Sequence, residues 1–477
     1  MAAPGTAQWS SRFAFIMAAV GSSVGLGNLW RFSAEAGSNG GGAFVIIYFI
    51  CVLFIGIPVL MSEYLVGRAG QASSAVMSVE DLTVQSGVSK GWASFAWIGM
   101  VAAFLIVSFY CVVAAWVLMY IPKFLFGAFE GLTPDQIASQ FGTDAIGKNE
   151  DGSAIWSSHF KVFGWFTLFA AFTSFLVSRG VNRGIEATAK FLMPLFFALL
   201  AGLSIYSLYT GFNTPIILDG EQTNGGAAAL GFLFTPDWGK VNIDTIRGAL
   251  GQAFFSIGIG SAIMITYGSY LPRSISIPRS SIFVAMTDTA VAIIAGLAVF
   301  PIVFSHGLAV NSGAGLFFQT LPVALSNAPL VGAAFFFLAF FAAITSSISL
   351  FEPSVSYVVE KFDQSRGKAS IMLGLLMWAL GALCIYSPWF FGLIDGKLTS
   401  TIMLPLSGLL LVLFVGWRLK KAIYDVEAAG ISQGMANLLY ILIRFVAPIS
   451  IGLILIFGVF ETFLPELYGS IIGLGTP

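Results

Sequence analysis

Arg12 to Gly37 reads RFAFIMAAVGSSVGLGNLWRFSAEAG, and the fold turns on how its middle is read. The stretch exceeds the roughly 20 residues that a helix needs to cross a hydrocarbon core of about 30 Å. At its centre stands Gly21-Ser22-Ser23-Val24-Gly25-Leu26-Gly27-Asn28. Helix is weakest there, because each glycine costs about 1 kcal/mol relative to alanine. Backbone N–H and C=O groups freed at that depth cannot face lipid, so an interruption implies a protected cavity lined by peptide dipoles. A second stretch, 245–271, carries Ser256-Ile257-Gly258-Ile259-Gly260-Ser261 at the same depth. Glycines also serve close helix packing in small-x-x-x-small patterns. Two clusters in corresponding positions favour paired interruptions flanking a binding site.

Composition places the rest of the chain in the same solvent. Of 477 residues, 57% are hydrophobic and 9% charged, too little polar surface to cover a water-soluble globule of this size. Membrane lipid is the one large partner this implies. A net charge of -1 and a pI near 6.1 provide no basic face for nucleic acid. Met1 to Gln8 has no charged side chain and runs straight into a full span, so no cleaved signal is expected. Cys51, Cys111 and Cys384 fall in apolar runs without metal-ligand spacing and read as packing residues.

Apolar runs predict about eleven transmembrane helices, near 12–37, 42–68, 91–122, 162–179, 187–210, 245–271, 279–305, 331–360, 369–386, 399–419 and 436–462. Basic residues gather in alternate connections, among them Arg68, Lys90, Arg179, Arg183, Lys190, Arg273, Arg279, Lys361, Arg366, Lys368 and Arg418. That side is predicted to be cytoplasmic, with the amino terminus inside and, for an odd count, Pro477 outside. The two glycine breaks lie five spans apart, so a second set of five enters the membrane in the opposite sense. The expectation is an all-α polytopic membrane protein with a 5+5 inverted repeat and discontinuous helices 1 and 6. Residues 1–477 form a single transporter domain, 12–210 the first repeat, 245–419 the second, and 436–462 an additional helix. Loops at 123–161 and 306–330 are either ordinary excursions or, in the second case, a dipping lid around Gly315-Leu316-Phe317-Phe318 and Pro322.

Polar residues inside the spans mark ion paths by their cost: Arg31, Glu35, Glu63, Asp288 and Glu352. Asp288 interrupts the apolar run from Ile282 to Phe300, and a carboxylate there needs a bound cation or a proton. Thr345-Ser346-Ser347 with Ser349 supplies hydroxyl oxygens suited to a hard cation. The same hydroxyls can instead bond their own helix.

Together these elements resemble the neurotransmitter:sodium symporter family, whose structural prototype is the bacterial leucine transporter. The resemblance rests on Trp9-Ser10-Ser11-Arg12, Gly25-Leu26-Gly27-Asn28-Leu29-Trp30-Arg31-Phe32, Asn39-Gly40-Gly41-Gly42-Ala43-Phe44, Gly251-Gln252-Ala253-Phe254-Phe255-Ser256, Ala295-Gly296-Leu297 and Phe340-Phe341-Ala342-Ala343-Ile344-Thr345-Ser346-Ser347. It covers all eleven spans, and a twelfth present in the prototype is missing. It implies a sodium-coupled symporter of a small neutral amino acid working by alternating access in a bacterial inner (plasma) membrane, with no organic cofactor.

By motif, the first of two sodium ions falls to the Ser23 carbonyl, Asn28, Ser256 and Asp288, completed by the substrate's carboxylate. The second falls to the carbonyls of Gly21, Val24 and Ala342 with the hydroxyls of Thr345 and Ser346. The substrate carboxylate is expected at the N–H groups near Leu26 and Gly27 and at the Tyr110 hydroxyl, its amine at carbonyls around Ser23, Phe255 and Ser256. Gly25 stands where amine carriers of the family have an aspartate, which favours an amino acid. Side-chain selection is assigned to Ile106, Tyr110, Phe255, Gly258, Ser261, Ser346 and Leu350. Gly258 and Ser261 are smaller than the prototype's residues, so a hydrophobic or aromatic side chain is expected to fit. Asp288 places a fixed negative charge that chloride-dependent relatives lack, implying chloride independence. Glu63 is assigned to bond backbone N–H groups at the breaks.

The chain departs from the family at the gates. The inner gate pairs an arginine before the tryptophan with an acid, and here Thr6 stands opposite Glu360. The outer gate pairs Arg31 with an acid near Asp395, although Glu35 at i+4 competes for it. Ser33 replaces a proline. An enzyme is not expected: His159 and His306 lie in connecting loops without a nucleophile or carboxylate pair. The competing reading is a membrane amino-acid sensor with the same site and no net transport.

Overall fold

The structure, a computed structural model, describes residues 8–149, 152–218, 220–308, 315–466 and 468, so Thr6 lies outside it. Helix follows the apolar runs. The first expected span is two helices: α1 (Arg12–Ser23), whose cap Ser11 accepts the Ala14 N–H at 3.1 Å, and α2 (Gly27–Ser38), bent 54° from it. Next come α3 (Gly42–Gly70), the surface helix α4 (Ala75–Ser86) ending on left-handed Gly87, and α5 (Lys90–Leu125). After α6 (Pro134–Gln140), started by a capping box at Thr133, follow α7 (Trp156–Ser178) and α8 (Val181–Phe212). A hairpin of β1 (Pro215–Leu218) and β2 (Glu221–Asn224) leads to α9 (Gly225–Phe234).

The sixth expected span is again two helices, α10 (Ile243–Ile257) and α11 (Ile263–Ser269). Then come α12 (Ile277–Ser305), the short α13 (Leu316–Leu325), α14 (Pro329–Phe362), α15 (Arg366–Tyr386), α16 (Pro388–Arg418), α17 (Lys421–Glu427) and α18 (Gln433–Phe463). Among the described residues, nine unbroken helices are long and apolar enough to cross a membrane, and α1 with α2 forms a bent tenth.

The bundle is built around α14, which packs against α5, while α12 packs against α8 and α15 against α7. Small residues permit the closest crossing, that of α11 on α3. A β-carbon on Gly67 would fall 1.9 Å from the Ile265 carbonyl oxygen, and one on Gly268 2.6 Å from that of Tyr64.

The expected boundaries need correction at three places. The tenth stretch begins at Pro388, not near 399, because Ser387 caps Phe390 and carries the helix through Trp389 to Phe391 before the polar Asp395-Gly396-Lys397. The fourth begins at Trp156, not near 162. The connection at 211–244, expected to be plain, holds the hairpin and α9. Of the two loops singled out by sequence, 123–161 contains α6, and 306–330 contains α13. Leu316, Phe317, Phe318 and Leu321 are buried, and the Tyr120 hydroxyl donates to the Phe318 carbonyl at 2.9 Å.

Candidate functional site

The two breaks face each other. In the first, Val24 leaves the helix with ψ 100°, and the next N–H groups turn to side chains. Gly25 N–H donates to Asn28 Oδ1 at 3.0 Å and Leu26 N–H to Tyr110 Oη at 3.5 Å. A β-carbon on Gly25 would come within 2.9 Å of Ser346 Oγ, and one on Gly27 within 3.1 Å of the Phe255 ring. These glycines let bare backbone approach the opposing helices.

In the second break, Gly258 and Gly260 take φ of +73° and +82°, and Ala262 takes +60°, a conformation that strains a residue with a β-carbon. Gly260 N–H donates to Glu63 Oε1 at 2.8 Å, and the Ile257 carbonyl receives Ser23 Oγ–H at 3.4 Å. Freed polar groups are thus met by a buried carboxylate on α3 and a hydroxyl on α1, as lipid-excluded backbone requires.

Beneath the breaks, Asn28, Ser256 and Asp288 are buried in one cluster. Asn28 Nδ2–H donates to Ser256 Oγ at 3.0 Å and to Asp288 Oδ1 at 2.8 Å, and Ser256 Oγ–H to Asp288 Oδ2 at 2.6 Å. No basic group among the described residues pairs with Asp288, so its charge is balanced only by neutral donors. A carboxylate in that position calls for a cation or a proton. Two residues missed by sequence adjoin it. Gln252 is one helical turn before Ser256, its amide buried with no hydrogen-bond partner among the described residues, and the Tyr48 hydroxyl is buried beside Ser256 and Asp288.

A second oxygen cluster joins α1 to α14. Ser346 Oγ lies 3.4 Å from the Ser22 carbonyl oxygen and 3.5 Å from that of Val24, and Thr345 Oγ1 lies 3.1 Å from that of Ala342. Gly21 is packed on Thr345, to whose Cβ a β-carbon on Gly21 would come within 3.2 Å. All five residues predicted for a second ion therefore meet at this seam.

Between the breaks lies a cavity of about 100 Å³. Every residue predicted from sequence to touch substrate lines it: Ser23, Gly25, Leu26, Gly27, Ile106, Tyr110, Phe255, Ser256, Gly258, Ser261, Ser346 and Leu350. Ser22, Phe109, Ile263 and Leu404 also line it and were missed. Leu404 is an ordinary apolar residue in an apolar run and carries no sequence signal. Phe109 and Ser22 adjoin residues that did.

The cavity is closed unequally. On one side the Arg31 guanidinium sits 4.3 Å over the Phe255 ring and pairs with Glu35 at 3.8 Å. The ion pair of Arg31 is with Glu35, the alternative that the sequence left open, while Asp395 lies near enough to act on Arg31 electrostatically without an ion pair. Asp395 lies in a π-helical stretch, Leu393–Met403, whose extra residue per turn changes the register assumed for it.

On the opposite side Trp9 is buried, its indole N–H donating to the Tyr267 carbonyl at 3.0 Å and its backbone N–H to that of Tyr270 at 3.1 Å. Glu352 pairs with Arg366 and accepts the Tyr270 hydroxyl. Glu360 accepts the Ser73 N–H at 2.8 Å, and Thr6, its expected counterpart, is outside the described residues. Asp81 on α4 has its pKa raised by burial and then by Glu360 and Glu80. A latch absent from the sequence reading holds the amino-terminal segment to α8: Ser10 donates through its N–H and hydroxyl to Glu186, and Asn182 Nδ2–H to the Gln8 carbonyl. Ser33, where a proline was usual, bonds its own helix at the Leu29 carbonyl.

The profile of the "Sodium:neurotransmitter symporter family" matches residues 6–151 and 157–472. The chain belongs to the sodium:neurotransmitter symporter family. Among solved members of similar fold, the crystal structure of MhsT in complex with L-phenylalanine superposes with a TM-score of 0.82 at 37% identity, covering 95% of this chain and 99% of that one. The uncharacterized sodium-dependent transporter YhdH of Bacillus subtilis is 33% identical over 93% of this chain and 96% of its own length. One from Haemophilus influenzae is 30% identical over 95% and 98%. The chain is a multi-pass membrane protein, and the breaks in its first and sixth helical stretches flank its cavity.

Proposed function

We propose that this protein is a sodium-coupled symporter of a small neutral amino acid, hydrophobic or aromatic in side chain, that works by alternating access without chloride. The observation that carries it is the cavity between two interrupted helices with the Asn28–Ser256–Asp288 cluster at its base. The amino end of α2 presents N–H dipoles to a carboxylate, and the carbonyl end of α10 faces an ammonium. The first sodium ion is bound by the Ser23 carbonyl, Asn28, Ser256, Asp288 and the substrate carboxylate, so ion and substrate enter as one unit. The second sits at the seam of Gly21, Val24, Ala342, Thr345 and Ser346. By tying α1 to α14 it favours the inward-closed state, and its loss releases α1.

Around this site we place two inverted repeats, 12–210 and 245–419, with 436–462 as an additional helix in a single domain. The basic connections face the cytoplasm, which puts the amino terminus inside a bacterial inner membrane. The relatives named as sodium-dependent transporters and the L-phenylalanine complex of MhsT support the ion and the substrate class.

Proteoliposomes loaded with potassium and diluted into sodium should accumulate labelled amino acid at equal rates in chloride and gluconate. Binding without accumulation would identify a sensor instead. A large loss in gluconate would refute chloride independence. Glycine and alanine outcompeting every larger amino acid would refute the roomy pocket formed by Gly258 and Ser261.

A further inference from the structure

We propose that the outer face of α7 and α15 holds one anionic phospholipid, its acyl chain in a groove between the helices and its phosphate at Arg179 and Lys368. A cavity of about 490 Å³ opens there, away from the substrate site. On α7 it is lined at i, i+3, i+4, i+7, i+8 and i+11 from Thr167 to Ser178, and on α15 from Gly367 to Trp378. One face of each helix therefore forms a wall. Small residues hollow the groove, chiefly Ala170, Ala171 and Gly374, while Phe175, Ile371 and Leu375 stand more than half exposed along its rims. Its far end is closed by the Trp378 indole, which donates to Thr167 Oγ1 at 2.9 Å.

Length and charge choose the occupant. From Thr167 to Ser178 the groove rises about 16 Å, half of a hydrocarbon core of about 30 Å, the reach of one leaflet's acyl chain. Its open end at Ser178 and Gly367 is flanked by two exposed basic residues. Arg179 lies 5.8 Å over the ring of Phe175, itself a groove residue, and Lys368 is three residues before Ile371 on the same face. Neither is in an ion pair among the described residues; Arg366, between them in the fold, is paired with Glu352. An apolar trench in the bilayer ending in two unpaired cations is complementary to a chain bearing an anionic headgroup. A lipid of zero net charge, whose phosphate is already offset by its own cation, would leave the two positive charges uncompensated.

Native mass spectrometry of the whole protein, released from nanodiscs containing equal phosphatidylglycerol and phosphatidylcholine, tests this. Wild type should retain one phosphatidylglycerol with a preference of roughly thirtyfold, as two basic residues near the surface supply. Ala171→Trp fills the groove and should abolish retention of both lipids. Arg179→Ala with Lys368→Ala should keep a lipid but lose the preference. Leu168→Trp, on the same helix outside the groove, should behave as wild type, and thermal stabilisation by sodium should persist in every variant, showing each is folded. Equal retention of both lipids by wild type, or undiminished retention by Ala171→Trp, overturns the proposal.

Discussion

Asp288 bears the most consequence of any residue, since a buried carboxylate held only by Asn28 and Ser256 is incompletely compensated until a cation arrives. Asp288→Asn keeps the shape and both neighbours while removing the charge. Without sodium the variant should melt no lower than wild type, and the stabilisation that sodium confers should shrink. The sodium concentration for half-maximal uptake should rise roughly tenfold to a hundredfold, the worth of a charge-assisted contact. An unchanged sodium dependence would remove Asp288 from the ion site. At this scale the sequence marked the places, because an acid in an apolar run and paired glycine clusters stand out from their surroundings, and the structure brings them together around one cavity. Gln252 was quoted only as part of a motif, without a role, and Tyr48 not at all, because the burial of a polar atom is a property of packing that no pattern records.

Among elements, the second break depends on a neighbour. Gly258 and Gly260 advertise its place, but Ala262 at φ +60° could not have been read, since alanine ordinarily belongs to helix. The break persists because surrounding groups over-determine it, above all Glu63, whose Oε1 takes the Gly260 N–H. Glu63→Gln retains an acceptor and should keep uptake and melting temperature near wild type. Glu63→Ala leaves that N–H buried and unmet, at a cost of about 1–3 kcal/mol, and should lower both. Equal behaviour of the two variants in differential scanning fluorimetry would show that the N–H finds another partner. The hairpin and α9 were missed for a different reason: Gly225-Gly226-Ala227-Ala228-Ala229 has no polar alternation, and its helix is fixed by packing against α12 and by Asn224 capping Ala227.

For the whole molecule, the contacts that hold the Trp9 side of the bundle extend beyond the neighbourhood of Glu360. The sequence reading sought an arginine opposite Glu360. Glu186 was not singled out there; in the structure it pairs with Lys190 four residues on in the same helix. In three dimensions Glu186 also holds Ser10, so the segment bearing Trp9 is tied to α8 as well as plugged against Tyr267 and Tyr270. Glu186→Ala removes that tie without touching the cavity. Losing about 2 kcal/mol of charge-assisted bonding from the inward-closed state alone shifts its equilibrium with the inward-open state roughly thirtyfold. Spin labels at Gln8→Cys and Arg183→Cys, with the three native cysteines buried, should report a short separation in the parent protein. Glu186→Ala should add a longer population in potassium. Sodium should reduce that population if, as proposed, an ion at the Thr345–Ser346 seam ties α1 to α14. A distance distribution indifferent to the substitution would mean that Trp9 and the Glu352–Arg366 pair hold the inner side without help from α8.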